Sequence, residues 1–259
     1  MRTNTTKAKL AQGKTVFGAI VSSYAPDMVE MLGLIGYDFV FLDCEHGPMS
    51  WDQVENMVRA AELFGITPIA RVPDQGASTL LRYLDRGVQG VIVPHVNTRE
   101  QAERVAAACR YYPDGQRGAA SGRAHDYNVG VGREESMAWI NSQVLVIPMC
   151  EEVEATKNLE QILQVPGVDV VHVASNDLAQ SMGNPPMAEV RTLMADLMRR
   201  IRAGGKHAGC GGNSPSDTAG VAALMDQGAD FVTVQALGLM RTGADAFRHG
   251  VEAAVKRSA

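Results

Sequence analysis

Eight short runs rich in Val and Ile recur along the chain, at 15–21, 38–43, 66–72, 88–94, 144–149, 168–174, 206–210 and 230–235. Each is too brief for a helix, and most are continuously apolar where an exposed strand would alternate. That pattern predicts strands covered on both faces, the property of parallel sheets with helices packed outside. Between the runs, apolar residues recur at helical spacing over 50–64, 78–86, 98–110, 153–163, 187–203 and 216–227, and again over 241–257 at the end. Eight strands alternating with helices predict the α/β class, as a closed (β/α)8 barrel. No GxGxxG fingerprint follows the first strand, which argues against an open dinucleotide-binding sheet.

Local signals mark where the helices start and stop. Ser50 with Gln53 three residues on reads as a capping box, and Ser216 precedes another helical run. Gly65, Gly87, Gly204 and Gly228 stand between a helix and the next strand, where a left-handed residue is needed. One interval departs from the rhythm. Residues 111–141, rich in Gly, Arg, Asp and Tyr, are too long for an ordinary connection and read as a lid, a binding loop or an oligomer contact.

Composition narrows the function classes. The 259 residues are 46% hydrophobic and 20% charged, enough apolar material for one large core, so we expect a single barrel domain over 1–259. A net charge of −5 without any basic run leaves no footprint for nucleic acid or an anionic membrane. No apolar run approaches the roughly 20 residues that cross a bilayer, and residues 1–14 lack a signal-peptide core, so a cytoplasmic protein is expected. Cys44, Cys109, Cys150 and Cys210 are scattered in apolar segments and are expected as reduced, packed thiols.

Barrel chemistry belongs at the carboxyl ends of the strands, and ionisable residues collect there. The second strand ends in Asp43, Glu45 and His46, the third in Arg71, the fourth in His95, the fifth in Glu151 and Glu152, and the sixth runs through His172 to Asn176 and Asp177. Glu151 and Asp177, on adjacent strands, could supply two hard oxygen ligands to Mg²⁺ or Mn²⁺, or could simply cap the helices that follow. Arg71 offers a fixed cation for an oxyanion, or a salt bridge to Asp43 or Glu45. His46 is the best general base by position, although a strand-end histidine is often only a hydrogen-bonded structural group. His125, His172, His207 and His249 are weaker candidates. No lysine falls at a strand's carboxyl end, which removes Schiff-base chemistry and leaves a metal as the electron sink for any carbanion.

Several ordered motifs resemble one family. They are Leu42-Asp43-Cys44-Glu45-His46-Gly47-Pro48, Ala70-Arg71-Val72-Pro73, Tyr83-Leu84-Asp85-Arg86-Gly87 with Gly90 to Pro94, and Arg110-Tyr111-Tyr112-Pro113-Asp114-Gly115-Gln116-Arg117-Gly118. Glu151 followed by Glu154-Ala155 and Asn158-Leu159, and Asn176-Asp177-Leu178 with Ser181-Met182-Gly183, complete the set. On these residues most of the chain resembles the HpcH/HpaI aldolases, metal-dependent pyruvate aldolases with a phosphoenolpyruvate/pyruvate-type TIM barrel. The resemblance implies that Glu151 and Asp177 hold a divalent metal (Mg²⁺ or Mn²⁺, with Co²⁺ also accepted) and that Arg71 stabilises the enolate or oxyanion. It further implies that His46 is the base, with Asp85 raising its basicity, and that backbone at Asn176 and Asp177 binds the substrate carboxylate.

The activity so implied is an aldol cleavage or synthesis of 4-hydroxy-2-keto acids through a pyruvate or hydroxypyruvate enolate, with a small keto acid and an aldehyde as partners. A decarboxylase or lyase acting on oxaloacetate-like acids, or a non-catalytic keto-acid-binding protein, are the other readings. A homo-oligomer, a trimer-of-dimers hexamer with exchanged last helices, is implied too. Departures fall in the lining. Met149-Cys150-Glu151 stands where the family commonly has Gln-Ile-Glu, so Met149 takes the place of a substrate-contacting glutamine. Ala174-Ser175-Asn176 replaces the common Gly-Pro, and Val234-Gln235-Ala236-Leu237 replaces small residues and an aspartate. Ligands kept beside a changed lining predict an altered choice of substrate or acceptor.

Overall fold

The computed structural model describes residues 2–257; the first residue and last two of the expected 1–259 domain lie outside it. Eight parallel strands close into a barrel in chain order: β1 (Val16–Val21), β2 (Phe39–Asp43), β3 (Thr67–Arg71), β4 (Gly90–Val93), β5 (Leu145–Cys150), β6 (Val170–Ala174), β7 (His207–Asn213) and β8 (Ala229–Gln235), with β8 pairing back on β1. The (β/α)8 TIM barrel read from periodicity is therefore the observed architecture.

Continuous hydrophobicity of the strands has a direct cause, since alternate residues of each strand feed two different cores. Phe39, Phe41, Ile69, Ile92, Leu145, Ile147 and Phe231 point inward and fill the barrel, while Val40, Leu42, Ala70, Val91, Val93 and Val146 point outward to the helices. Inside, the rings of Phe39 and Phe231 stack with centroids 4.2 Å apart. Gly18 on β1 leaves the room they need, for a Cβ there would stand 2.0 Å from the Phe39 ring. The α1 helix (Thr5–Ala11), capped by Asn4, delivers Leu10 to the same inner core and closes the amino-terminal end.

The helices that follow are α2 (Pro26–Leu34), α3 (Trp51–Leu63), α4 (Ala77–Asp85), α5 (Arg99–Cys109), α6 (Arg133–Gln143), α7 (Val153–Lys157), α8 (Leu159–Leu163), α9 (Ser175–Ser181), α10 (Met187–Ala203), α11 (Thr218–Asp226) and α12 (Ala236–Arg257). The Ser50 and Gln53 capping box is present at α3. Three expectations need correction. Asp217, not Ser216, caps α11, by accepting from the Gly220 N–H. Gly204 keeps a negative φ, and the left-handed residue there is Gly205 at +76°. The run 153–163 is two short helices broken at Asn158, whose amide is drawn off to the Asn97 carbonyl.

Residues 111–141 are not a bare loop. A 3₁₀ segment, Arg123–Asn128, and α6 lie within or overlap the interval, and α6 went unread because its sequence carries little apolar periodicity. The segment is pinned to the fold at both ends. Asn141 accepts from the Tyr111 N–H and donates to the Tyr111 carbonyl, both at 2.8 Å, and buried His125 bridges Tyr111 Oη (2.8 Å) and Ser136 Oγ (2.7 Å). All four cysteines are free and buried, and burial pushes the Cys44, Cys109 and Cys150 thiols up to about 12. Among the described residues no helix is long and apolar enough to cross a membrane.

Candidate functional site

At the carboxyl end of the strands lies a cavity of about 180 Å³, lined among others by His46, Arg71, Met149, His172, Asn176, Asp177 and Gln235. Strand register explains how residues distant in sequence meet there. Asp43 pairs with Arg71 across β2 and β3, and Met149 with His172 across β5 and β6. No lysine lines this cavity.

Arg71 is buried and held on two sides. Its Nε and Nη2 reach Asp43 Oδ1 and Oδ2 at 3.0 and 2.9 Å, and Nε also lies 3.2 Å from Glu45 Oε2. The salt bridge foreseen as an alternative role is thus formed, and it fixes the guanidinium plane at the cavity wall. Asp43 does more, accepting also from Ser22 Oγ (3.2 Å) and from the His46 N–H (3.2 Å). One buried carboxylate therefore sets both the cation and the backbone of the proposed base. The His46 ring itself is mostly exposed, with Nε2 4.0 Å from Glu45 Oε2.

Glu151, immediately after β5, is only 3% exposed. Its Oε1 accepts from the His95 N–H at 2.8 Å, with His95 Nδ1 3.5 Å away. Burial raises the Glu151 pKa, opposed by the His95 contacts and reinforced by the negative charges of Asp177 and Glu45. His95 adopts a φ of +56°, uncommon for a residue with a side chain, and Gln75 holds that turn by donating to the Pro94 and His95 carbonyls. Burial opposes charge on His95, but a 2.6 Å hydrogen bond to Glu152 and the surrounding carboxylates raise its pKa on balance. Glu152 is fixed in turn by Asn97 Nδ2 at 2.9 Å.

Asp177 falls in the first turn of α9, half-buried, close enough for its charge to act on Glu151. Asn176 precedes it, exposed on the cavity wall. Among the described residues no group of three or more His, Cys, Asp or Glu side chains forms a metal cage. Two carboxylates, one of them buried against like charges, nonetheless match a hard divalent cation that keeps open positions for substrate and water. A cation bound there would offset both the burial and the like charges that raise the Glu151 pKa, so the residues present fit such a metal.

Asp85 is not brought to His46 in this chain. It ends α4, a helix that runs back from the cavity, and accepts from the buried Arg117 Nη2 at 2.8 Å. His207 is at the far end of the barrel with Asp230 (2.6 Å), His125 is buried within the 111–141 segment, and His249 lies on α12. Asp43, Glu45, Glu152 and His172 gain more from the fold than their sequence positions suggested. The period-2 pattern of β6 makes His172 inward-facing, but its place at the cavity follows only from the register of β6 against β5 and β7.

The HpcH/HpaI aldolase/citrate lyase family model matches residues 17–238. A 2-keto-3-deoxy-L-rhamnonate aldolase of Shigella sonnei (strain Ss046) is 34% identical over 210 residues, 80% of this chain and 78% of that protein. The Escherichia coli (strain K12 / DH10B) protein of the same name is 35% identical over 210 residues, with the same shares covered. Among solved structures, citrate synthase SbnG superposes with a TM-score of 0.84 at 29% identity, covering 96% of this chain and 98% of that one. An HpcH/HpaI aldolase/citrate lyase family protein from Burkholderia cenocepacia J2315 gives 0.86 at 28% identity, covering 95% and 99%. The barrel, its strand-end residues and these likenesses agree: the chain belongs to the HpcH/HpaI aldolase/citrate lyase family, a family of carbon–carbon lyases.

Proposed function

We propose that this protein is a divalent-metal-dependent aldolase that cleaves or forms 4-hydroxy-2-keto acids through the enolate of pyruvate or hydroxypyruvate. The observation that carries the reading is Glu151, a buried carboxylate close enough to feel the charge of a second one, Asp177, which lines the cavity together with Arg71 and His46. Glu151 and Asp177 would hold the metal, Mg²⁺ or Mn²⁺. Bound there, such a cation polarises the 2-keto oxygen and neutralises charge developing on it.

In the cleavage direction His46 accepts the proton of the 4-hydroxyl as the C3–C4 bond breaks; the aldehyde leaves and the electron pair remains on the keto acid. Protonation at C3 then gives the product, and synthesis runs through the same steps in reverse. Arg71 offers its remaining N–H groups to the developing oxyanion, and its pairing with Asp43 fixes its orientation before the reaction begins. Met149 supplies apolar wall, and backbone at Asn176 and Asp177 binds the carboxylate. A partner subunit also enters the proposal, since α12 exposes Met240, Phe247, Val251 and Val255. Glu151→Gln and Asp177→Asn should abolish metal-dependent turnover of 4-hydroxy-2-keto acids. Undiminished wild-type turnover in EDTA would defeat the proposal.

A further inference from the structure

His172 stands at the cavity with no hydrogen-bond partner among the described residues, an unusual position for a histidine only 2% exposed. It projects from β6 between Phe41 and Phe231, meeting both rings edge-on at 6.1 and 6.0 Å. The space for it is made by β7. A Cβ on Gly209 would stand 2.6 Å from Nδ1, and one on Gly211 would stand 2.6 Å from Nε2. Two glycines on one strand thus form a slot that an imidazole fills along its length. Gly211 lines the cavity and Gly209 does not, so Nε2 is the atom nearer the opening and Nδ1 the deeper one.

Protonation follows from the surroundings. Burial, reinforced by the Arg71 charge, lowers the His172 pKa to about 3, so the ring is neutral and carries one N–H. Nδ1 is buried with no hydrogen-bond partner, and a buried donor left unpaired is costlier than an unpaired acceptor. The proton therefore resides on Nε2, and the ring presents a neutral donor to the cavity. Its neighbours Phe41, Phe231 and Met149 are apolar, and the polar lining of the cavity, Ser175, Asn176, Asp177 and Gln235 among it, makes no hydrogen bond to the ring. A bare methyl against this N–H would leave it unsatisfied, whereas a substrate oxygen would complete it.

We infer that His172 is a specificity-determining residue, hydrogen-bonding through Nε2 to an oxygen carried on C3 of the keto acid, so that the site takes a 3-hydroxy-2-keto acid in preference to pyruvate. The assignment rests on the aldolase reading above. In that reading the keto oxygen and carboxylate would be met by the metal, Arg71 and the start of α9, and His172 would then have something to recognise only if the keto acid bears a further oxygen. The selectivity is that of a site built around a substrate hydroxyl, where the analogue lacking it leaves a buried donor unpaired.

The test uses the full-length, Mg²⁺-loaded protein and follows exchange of the C3 protons of hydroxypyruvate and of pyruvate in D₂O. His172→Phe should lower the ratio of the two kcat/KM values by at least about tenfold, mainly through hydroxypyruvate, and His172→Gln, which retains a donor, should restore part of it. In the wild-type protein the ¹⁵N resonance of His172 Nε2 should move on adding hydroxypyruvate and stay with pyruvate, a readout that does not depend on turnover. An unchanged ratio with both keto acids still exchanged, or a resonance that moves equally with both, would overturn the assignment to His172 alone. Metal-dependent exchange of neither keto acid by the wild-type protein would overturn the aldolase reading along with it.

Discussion

Arg71 and Asp43 face each other across neighbouring strands and close a two-point ion pair, Nε to Oδ1 at 3.0 Å and Nη2 to Oδ2 at 2.9 Å, with both residues buried. A pair of this kind is weak evidence for stability, because desolvation offsets much of its attraction, but breaking one side strands the other charge. Asp43→Asn should therefore cost about 3 kcal/mol in urea unfolding and lower turnover on the order of 10²-fold. Arg71→Lys, which keeps the charge and loses the planar fork, should lower turnover comparably while costing less stability. Turnover retained in both would show that the orientation of the guanidinium is not used.

Acid sensitivity follows from His172. Its folded pKa, about 3, lies below that of an unfolded histidine near 6.5, so the unfolded chain takes up the proton first. This contribution to stability is whole above pH 6.5 and is lost as pH falls toward 3, amounting to about 2 kcal/mol by pH 5. Urea midpoints measured from pH 7 to pH 4 should fall more steeply for the wild-type protein than for His172→Phe. Parallel curves would contradict a buried neutral imidazole.

Function and stability should oppose each other at Glu151. In the metal-free protein Glu151→Gln removes a buried charge that lies close to Asp177 and Glu45, and should raise unfolding stability by about 1 kcal/mol. The same change should abolish the rise in Tm that Mn²⁺ gives the wild-type protein. Melting curves with and without Mn²⁺ for both proteins decide the point. A variant that is less stable without metal, or equally stabilised by it, would contradict the role given to Glu151.

The 111–141 segment is held by few contacts of high value. Asn141→Ala deletes both 2.8 Å bonds to the Tyr111 backbone in a buried setting and should cost about 2 kcal/mol, with faster amide exchange confined to the segment. Exchange that rises uniformly over the barrel would instead assign Asn141 to the global core.

Strand positions were legible because barrel strands are apolar on both faces, and the strand-end residues could be listed once those strands were placed. Boundaries moved where backbone competed with pattern. The β7 strand runs on through Gly211, Gly212 and Asn213, which carry no apolar signal, and α9 starts directly on the end of β6 with no intervening turn. The helix α2 was missed because its sequence, PDMVEMLGL, is apolar at most positions and carries little helical periodicity. Pairings could not be read at all. Nothing in the order of residues says that Asp43 serves both Arg71 and His46, that Asp85 belongs to Arg117, or that two glycines on β7 make a slot for His172. Such relationships depend on register across strands, which closure of the barrel fixes.

Whether a metal-stabilised enolate forms is decided by stripping the protein of metal, adding pyruvate or hydroxypyruvate in D₂O, and following the C3 protons by NMR before and after addition of Mg²⁺. No aldehyde need be guessed. The account predicts exchange that appears with metal, vanishes with EDTA and is absent in Glu151→Gln. Exchange that proceeds equally without metal, or none with either keto acid when metal is present, would contradict it.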